Sequence, residues 1–458
     1  MINSETIASI ATGLTNSGIG IIRMSGDDSI EIIKKIFKKK SGNDFNEFES
    51  HKAYYGFIFD DKNPVDEVLV LILKRPKSFT TEDTVEINCH GGLFVMNKIL
   101  DLCIKNGARL AEKGEFTKRA FLGGRIDLSE AEAVIDIINA ESDLSASNSI
   151  NQLRGKLYEK INEIREIILN ETAFIEAALD DPEHYSLDDY PEKLRVTINK
   201  LCSEISILTN SFSDGKIIKE GINTVILGKP NVGKSSILNV LAKKDVAIVT
   251  DIAGTTRDAL TENITIGGIK LNISDTAGIR NTDDVVEKIG VDRAYKYADE
   301  ADLIIMVVDS SRNIDEEDKE VFEYIKDKKA VILLNKSDLK SLTDEAEINK
   351  YSDKEIINVS ALNETGIDLL KKYIQSEFLS GELDYNNNII ITNQRHRNLL
   401  SESYDSLKNV IESIDNNMPE DFFSIDLSNA YDCLGRIIGE SVEDDIVNKV
   451  FSKFCMGK

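Results

Sequence analysis

Cysteine is scarce and scattered: the five residues Cys89, Cys103, Cys202, Cys433 and Cys455 include no C-x-x-C pair. That spacing suggests neither a disulfide framework nor a zinc site, and reduced thiols are expected. Long apolar runs are missing too. The longest, Val68 to Leu73 and Leu303 to Val308, are six residues each, far short of the ~20 needed to cross a bilayer. The start, Met1-Ile2-Asn3-Ser4-Glu5, has neither the layout of a secretion signal nor the Arg-rich character of a transit peptide. A soluble, cytoplasmic protein is the expectation. Basic charge is in deficit, with 55 Lys and Arg against 80 Asp and Glu for a net charge of -25. Such a balance repels nucleic acid on average. Contact with RNA then needs a local basic patch or a partner protein, and neither DNA nor a membrane is expected as a partner.

What the chain does have is ordinary globular composition, 41% hydrophobic and 29% charged over 458 residues, which predicts a sizeable core and about three domains. The pattern of apolar residues changes three times. Strand-like stretches Gly18 to Met24, Ala53 to Phe59, Val65 to Lys74 and Thr84 to Asn88 surround helical ones near Asp28 to Phe37 and Leu93 to Lys105. An N-terminal α+β module over residues 1–120 follows. From there helical spacing dominates, as in Glu132 to Ile138 and Leu157 to Leu179, with a break at Asp180-Asp181-Pro182. Around Thr224 strand and helix begin to alternate, as in a doubly wound, mostly parallel sheet. Helical signals return near residue 393. The expected organisation is a helical domain discontinuous in sequence, residues 121–217 and 381–458, with an α/β domain of 218–380 inserted between its halves.

The strongest motif is Gly228-Lys229-Pro230-Asn231-Val232-Gly233-Lys234-Ser235, which fits the phosphate-binding P-loop between the apolar strand Thr224 to Leu227 and a helix from Ser236. Backbone N–H groups of Asn231 to Ser236 would cradle phosphates at a helix N-terminus. Lys234 would add charge at the β- and γ-phosphates, and Ser235 a hydroxyl for Mg2+. Asn335-Lys336-Ser337-Asp338 follows the apolar run Val331 to Leu334. The Asp338 carboxylate can accept from N1–H and the 2-amino group of guanine, which adenine cannot offer. Ser360-Ala361-Leu362 fits a loop closing over the base.

Asp275-Thr276-Ala277-Gly278 ends another strand-like run. Asp275 is placed to hold Mg2+ through water, and the Gly278 N–H to sense the γ-phosphate. In the intervening segment Thr250-Asp251-Ile252-Ala253-Gly254-Thr255-Thr256-Arg257-Asp258, Thr256 would reach Mg2+ when GTP is bound. Five elements in order define an expected P-loop GTPase domain. Ile279 stands where small regulatory GTPases carry a water-orienting Gln, so another group and another positive charge must serve. Arg280 and Glu287 are the nearest candidates, and each is equally compatible with plain surface charge.

With these motifs the chain resembles the MnmE (TrmE) type of tRNA modification GTPase over essentially its whole length. Further matches are Thr6-Ile7-Ala8, Gly20 to Gly26, Ser78-Phe79-Thr80, His90-Gly91-Gly92, Gly114 to Leu122 and the ending Phe454-Cys455-Met456-Gly457-Lys458. The resemblance implies a homodimer that joins an FAD-dependent partner protein in a heterotetramer. The assembly adds an aminomethyl-type (carboxymethylaminomethyl) group at C5 of the wobble uridine, U34, of certain tRNAs. The one-carbon unit comes from 5,10-methylene-tetrahydrofolate, with 5-formyl-tetrahydrofolate as an analogue. Arg23, Glu86 and Lys458 match folate-contacting positions, and a fourth, usually Lys, is Arg125 here.

K+-dependent hydrolysis is also implied. Asn231, Thr250, Ile252 and Thr255 match a K+ site near the phosphates, which accounts for the absence of an arginine in that role. Thr250 and Thr255 thereby count among the GTP contacts. Glu287 matches a water-positioning glutamate, and Arg280 a switch residue of open role. Cys455 is read equally as a catalytic or a structural thiol beside the folate. The alternative class is a GTPase switch that docks a macromolecule, such as a ribosome-assembly factor. The N-terminal module and the tail argue against it, since a pure switch has no need of them in this form. Residues 100–125 hold six Lys or Arg against three acids, and Lys34, Lys35, Lys38, Lys39 and Lys40 crowd a helix end. Both stretches suit tRNA contact, and the lysine run suits solvated surface and favourable charge at a helix C-terminus at least as well.

Overall fold

A computed structural model describes residues 5–40, 48–244, 261–274, 295–379 and 389–457. The chain divides into two compact units: Met1–Ile135 with Gln152–Tyr185 and Glu420–Lys458, and Asp136–Asn151 with Ser186–Pro419.

The first unit opens with β1 (Ile7–Ile10), β2 (Ser17–Ser25), α1 (Ser29–Ile36), β3 (Phe37–Lys39), β4 (Lys52–Asp60), β5 (Asn63–Leu73), β6 (Thr84–Gly91), α2 (Leu93–Lys105) and β7 (Arg109–Leu110). The strands form one sheet in the order β3-β4-β5-β6-β2-β1-β7, antiparallel except for the parallel pair β1 and β7. Alternation decides the faces: Tyr54 and Ile58 on β4 and Val68, Val70 and Ile72 on β5 are buried in one core with Ile32, Ile33 and Ile36 of α1 and Met96 and Ile99 of α2. Gly20 on β2 has no room for a side chain, since a Cβ would lie 2.3 Å from the Met96 sulfur. The short β1, β3 and β7 carried no usable period in the sequence. In consequence Lys38 and Lys39, read as part of a helix end, stand on a strand, while Lys34 and Lys35 do close α1.

The unit continues through α3 (Glu115–Leu122) and α4 (Leu128–Ile138), and after α5 (Asp143–Leu153) resumes in α6 (Lys156–Asp180). It ends in two later helices, Asp421–Ile438 and Asp444–Phe451. The first packs along α6, where Arg165 lies 4.1 Å from the Tyr431 ring and 2.5 Å from Glu440.

The second unit holds α7 (Tyr190–Asn210), α8 (Phe212–Glu220), β8 (Ile222–Leu227), α9 (Lys234–Lys244), β9 (Thr261–Ile266), β10 (Ile269–Ser274), β11 (Leu303–Asp309), α10 (Glu316–Ile325), β12 (Ala330–Asn335), α11 (Glu345–Ile348), β13 (Glu355–Asn358), α12 (Ile367–Phe378) and α13 (Gln394–Asp415). In chain order the two last helices of the first unit are therefore α14 and α15. The sheet runs β13-β12-β11-β8-β10-β9, parallel but for the β9–β10 edge hairpin. Its central strands are apolar throughout because helices cover both faces: all seven residues of β11 and all six of β12 are buried. The chain entering this sheet and the chain leaving it run side by side. The Ile391 N–H donates to Ser211 Oγ at 3.0 Å, and a Cβ on Gly215 would meet the Ile391 carbonyl oxygen at 2.1 Å.

Candidate functional site

At the C-terminal end of β8 the buried Val225, Ile226 and Leu227 deliver the chain into a tight loop, and α9 begins at Lys234. Two glycines are dictated by space as well as by φ. A Cβ on Gly228 (φ 140°) would lie 2.4 Å from the Val307 carbonyl oxygen, and one on Gly233 (φ 102°) 2.2 Å from Asn335 Nδ2. Asn231 sits between them in the left-handed region at φ 62°, and the buried Val232 anchors the loop in the core. Ser235 and Ser236 are exposed in the first turn of α9, where N–H groups have no partner within a helix and anions are favoured. The Lys234 ammonium donates to the carbonyls of Gly228 at 2.6 Å and Lys229 at 2.8 Å. Lys229 is braced outside by Asp315 at 2.5 Å and Glu317 at 2.8 Å.

The proposed base-binding loops are tied to this one by a single amide. Asn335, buried at the end of β12, donates from Nδ2 to the Val232 carbonyl at 2.8 Å and accepts at Oδ1 from the Ala361 N–H at 3.2 Å. Asp338 accepts a hydrogen bond from the Ser360 hydroxyl. The Ser337 N–H donates to Val359 O at 3.1 Å, and Leu362 is exposed at the loop tip. Three motifs read separately in the sequence are thus one cluster at the C-terminal edge of the parallel strands, where open α/β sheets bind ligands. The sequence reading missed Asp309, which ends β11 beside Asn335 and holds Lys336 at 2.5 Å. Burial alone would raise its pKa, but hydrogen bonds from Lys336 and from the side chain and N–H of Ser311 outweigh it and hold the carboxyl below its ordinary value. A polar residue closing a fully buried strand was the available signal.

In the first unit, the antiparallel register of β2 and β6 sets Arg23 opposite Glu86, and they pair at 2.8 Å with about a fifth of each side chain exposed. Arg23 also donates to the Gly457 carbonyl at 3.3 Å, bringing the tail to the sheet. Gly457 (φ 90°) allows that approach, since a Cβ there would meet the Ile10 carbonyl oxygen at 2.4 Å. The Arg23 guanidinium lies 5.7 Å from the Phe116 ring. Phe116 shares a cluster with Ile7, Ala111 and Phe79, and Arg125 stands 4.9 Å over Phe79. Arg23, paired with Glu86, and Arg125 thus each lie over a phenyl ring of one apolar cluster. Cys455 is exposed, and its carbonyl accepts the Gly114 N–H at 3.3 Å.

In the basic stretch of residues 100–125, two arginines are bound to carboxylates and one of them is internal. Arg119 is only 5% exposed and binds Glu82 at 2.9 Å and Glu115 at 3.0 Å, while Arg109 binds Glu115 at 2.6 Å and Glu5 at 2.9 Å. Although burial opposes it, these guanidinium bonds and the Glu112 N–H bring the Glu115 carboxyl down to about 2. Two of the six basic residues are thus committed to carboxylates, and the buried Arg119 is withdrawn from any nucleic-acid surface. Thr250, Ile252, Thr255, Thr256, Asp275, Gly278, Arg280, Glu287 and Lys458 lie outside the described residues.

A parallel sheet carrying a P-loop and an N-K-x-D loop tied by one asparagine defines a GTP hydrolase of the P-loop class. The family model "GTP-binding protein TrmE N-terminus" matches residues 6–125, and "MnmE helical domain" matches 128–455. The chain is 53% identical to the tRNA modification GTPase MnmE of Lachnoclostridium phytofermentans over 99% of this chain and 100% of the relative. The proteins of the same name from Acetivibrio thermocellus and Clostridioides difficile are 49% and 46% identical, with 100% of each chain covered. The G domain of a T. maritima FeoB iron transporter also matches at 26% identity, covering 34% of this chain and 97% of that one with a TM-score of 0.26. A score so low adds nothing to the strand order. The chain belongs to the MnmE family of tRNA modification GTPases.

Proposed function

We propose that this GTP hydrolase is K+-dependent. With an FAD-dependent partner protein, it adds a carboxymethylaminomethyl-type group at C5 of the tRNA wobble uridine, using a methylene-tetrahydrofolate carbon. The observation that carries the reading is the meeting of Arg23, Glu86 and the Gly457 carbonyl beside Phe116, from segments up to 434 positions apart. A guanidinium and a carboxylate, both partly exposed beside an apolar cluster, fit a flat heteroaromatic with donor and acceptor edges. Arg125 over Phe79 adds positive charge for a carboxylated ligand. Bound there, the reduced folate supplies the one-carbon unit; this chain binds and orients it.

In the G domain, assigned to residues 218–380, the loop from Asn231 to Ser236 holds the phosphates and Lys234 moves its ammonium from the loop carbonyls to them. Asp338 accepts from guanine, with Ser360, Ala361 and Leu362 closing over it. Ser235, Thr256 and Asp275 hold Mg2+. The K+ set is Asn231, Thr250, Ile252 and Thr255, of which Asn231, at the loop's left-handed turn, is described. Bound K+ supplies charge near the transferring phosphoryl group. Glu287 positions water. The N-terminal module, residues 1–120, also carries the homodimer contact. Ile19, Tyr55 and Leu69 are exposed large apolar residues on strands of its sheet, and Leu14 and Phe94 are exposed on the same module, which suits a partner surface. The helical segments 121–217 and 381–458 connect the two.

The test is GTP hydrolysis with K+ replaced by Na+. The rate should fall at least about tenfold, and Asn231→Ala should lose most of the K+ gain. Equal rates in both salts overturn the cation assignment, and no 5-formyl-tetrahydrofolate binding at near-millimolar concentration overturns the folate one.

A further inference from the structure

From this geometry we infer that Asp309 is a positioning residue for nucleotide binding: its buried carboxylate fixes the Lys336 side chain in the place where its stem covers the purine. The inference rests on the reading of Asn335 to Asp338 as the base-recognition loop. Lys336 is held at φ 64°, a region a side-chain-bearing residue occupies at a cost. Its ammonium is 2.5 Å from Asp309 Oδ2. The other carboxylate oxygen is occupied, accepting the Ser311 N–H at 2.9 Å and the Ser311 hydroxyl at 2.7 Å, so the group cannot swing with the lysine. Ser310 adds two backbone ties, donating from N–H to Asn335 O at 2.9 Å and from Oγ to Lys336 O at 3.1 Å. Asp309 itself is 6% exposed, the last residue of β11 and the direct neighbour of Asn335 in register.

A free lysine has many rotamers, and covering a base with its stem would cost most of that freedom at binding. Anchored at both ends before the nucleotide arrives, Lys336 has already met the cost, which is how preorganisation raises affinity. In that inferred place the lysine meets the face of the base and not its edge. Asp309 therefore strengthens binding of every purine nucleotide alike, whereas Asp338 selects guanine.

The experiment measures mant-GTP binding and steady-state GTP hydrolysis on the full chain for wild type, Asp309→Asn, Lys336→Ala and the double variant, with inosine triphosphate as competitor. Thermal unfolding without nucleotide checks folding, and Asp309→Glu, which keeps the charge at a changed reach, serves should the asparagine variant not fold. Asp309→Asn is expected to raise Kd and KM about tenfold with kcat little changed, and to weaken the inosine nucleotide by the same factor. The double variant should bind no more weakly than Lys336→Ala. Wild-type affinity in Asp309→Asn beside a weakened Lys336→Ala, or losses that multiply in the double variant, would overturn the role of Asp309 alone. Unchanged affinity in Lys336→Ala would overturn the base-site reading with it.

Discussion

The nucleotide loops of the second unit and the Arg23–Glu86 cluster of the first are built by opposite means. In the former each motif is a short contiguous run at a strand end, and backbone geometry does the gripping: Gly228 and Gly233 have no space for a side chain, and Asn335 ties the loops by its amide. In the latter no run of sequence is a site. Strand register brings Arg23 to Glu86, a tail 434 positions away supplies Gly457, and the apolar cluster of Ile7, Ala111 and Phe116 backs them. Local motifs survive because each loop must satisfy its own backbone. A dispersed site rests instead on the fold that assembles it, here the buried charges of Glu115 and Arg119.

The sharpest way to break the comparison is Lys234→Ala. It should lower GTP turnover by about 10^3-fold, since charge aimed at the transferring phosphoryl group is lost, and leave 5-formyl-tetrahydrofolate binding unchanged by calorimetry. A parallel loss of folate binding would show that the two regions do not work separately.

Next in size is Arg119→Met, which leaves Glu82 and Glu115 short of a buried partner. It should destabilise the protein by about 3 kcal/mol in urea unfolding. The same network gives a pH dependence. The Glu115 carboxyl, brought from its ordinary 4.5 down to about 2, contributes stability in full above pH 4.5. That contribution, on the order of 3 kcal/mol, is lost as pH falls toward 2. Glu115→Gln should flatten this part of the acid limb; an unaltered limb would mean that the network does not stabilise the module. The smallest effect is that of Arg23→Gln, expected to weaken 5-formyl-tetrahydrofolate about tenfold with GTP hydrolysis untouched.

How much was legible follows the same division. The P-loop and N-K-S-D announced themselves, because few residue types fit such turns, S-A-L was legible only in their company, and β11 and β12 showed as unbroken apolar runs. β1, β3 and β7, of four, three and two residues, are too short to show a period and are held by their neighbours. Asp309 was missed because its role exists only across the sheet, through Lys336. Arg119 is buried by Glu115, an i,i+4 partner that helical spacing could show, and by Glu82, 37 positions away, which no spacing rule connects to it. Arg23 and Glu86 were named through family resemblance; nothing in their own neighbourhoods marks them.

Nucleotide turnover in one unit is proposed to drive chemistry on tRNA that needs the other. The most direct test is mass spectrometry of nucleosides from wobble-uridine tRNA incubated with the chain, the FAD-dependent partner, methylene-tetrahydrofolate, glycine or ammonium, K+ and GTP. The expected result is a C5-modified uridine with wild type, almost none with Lys234→Ala and, at limiting folate, about tenfold less with Arg23→Gln. Equal product from Lys234→Ala, or none from wild type, would contradict it.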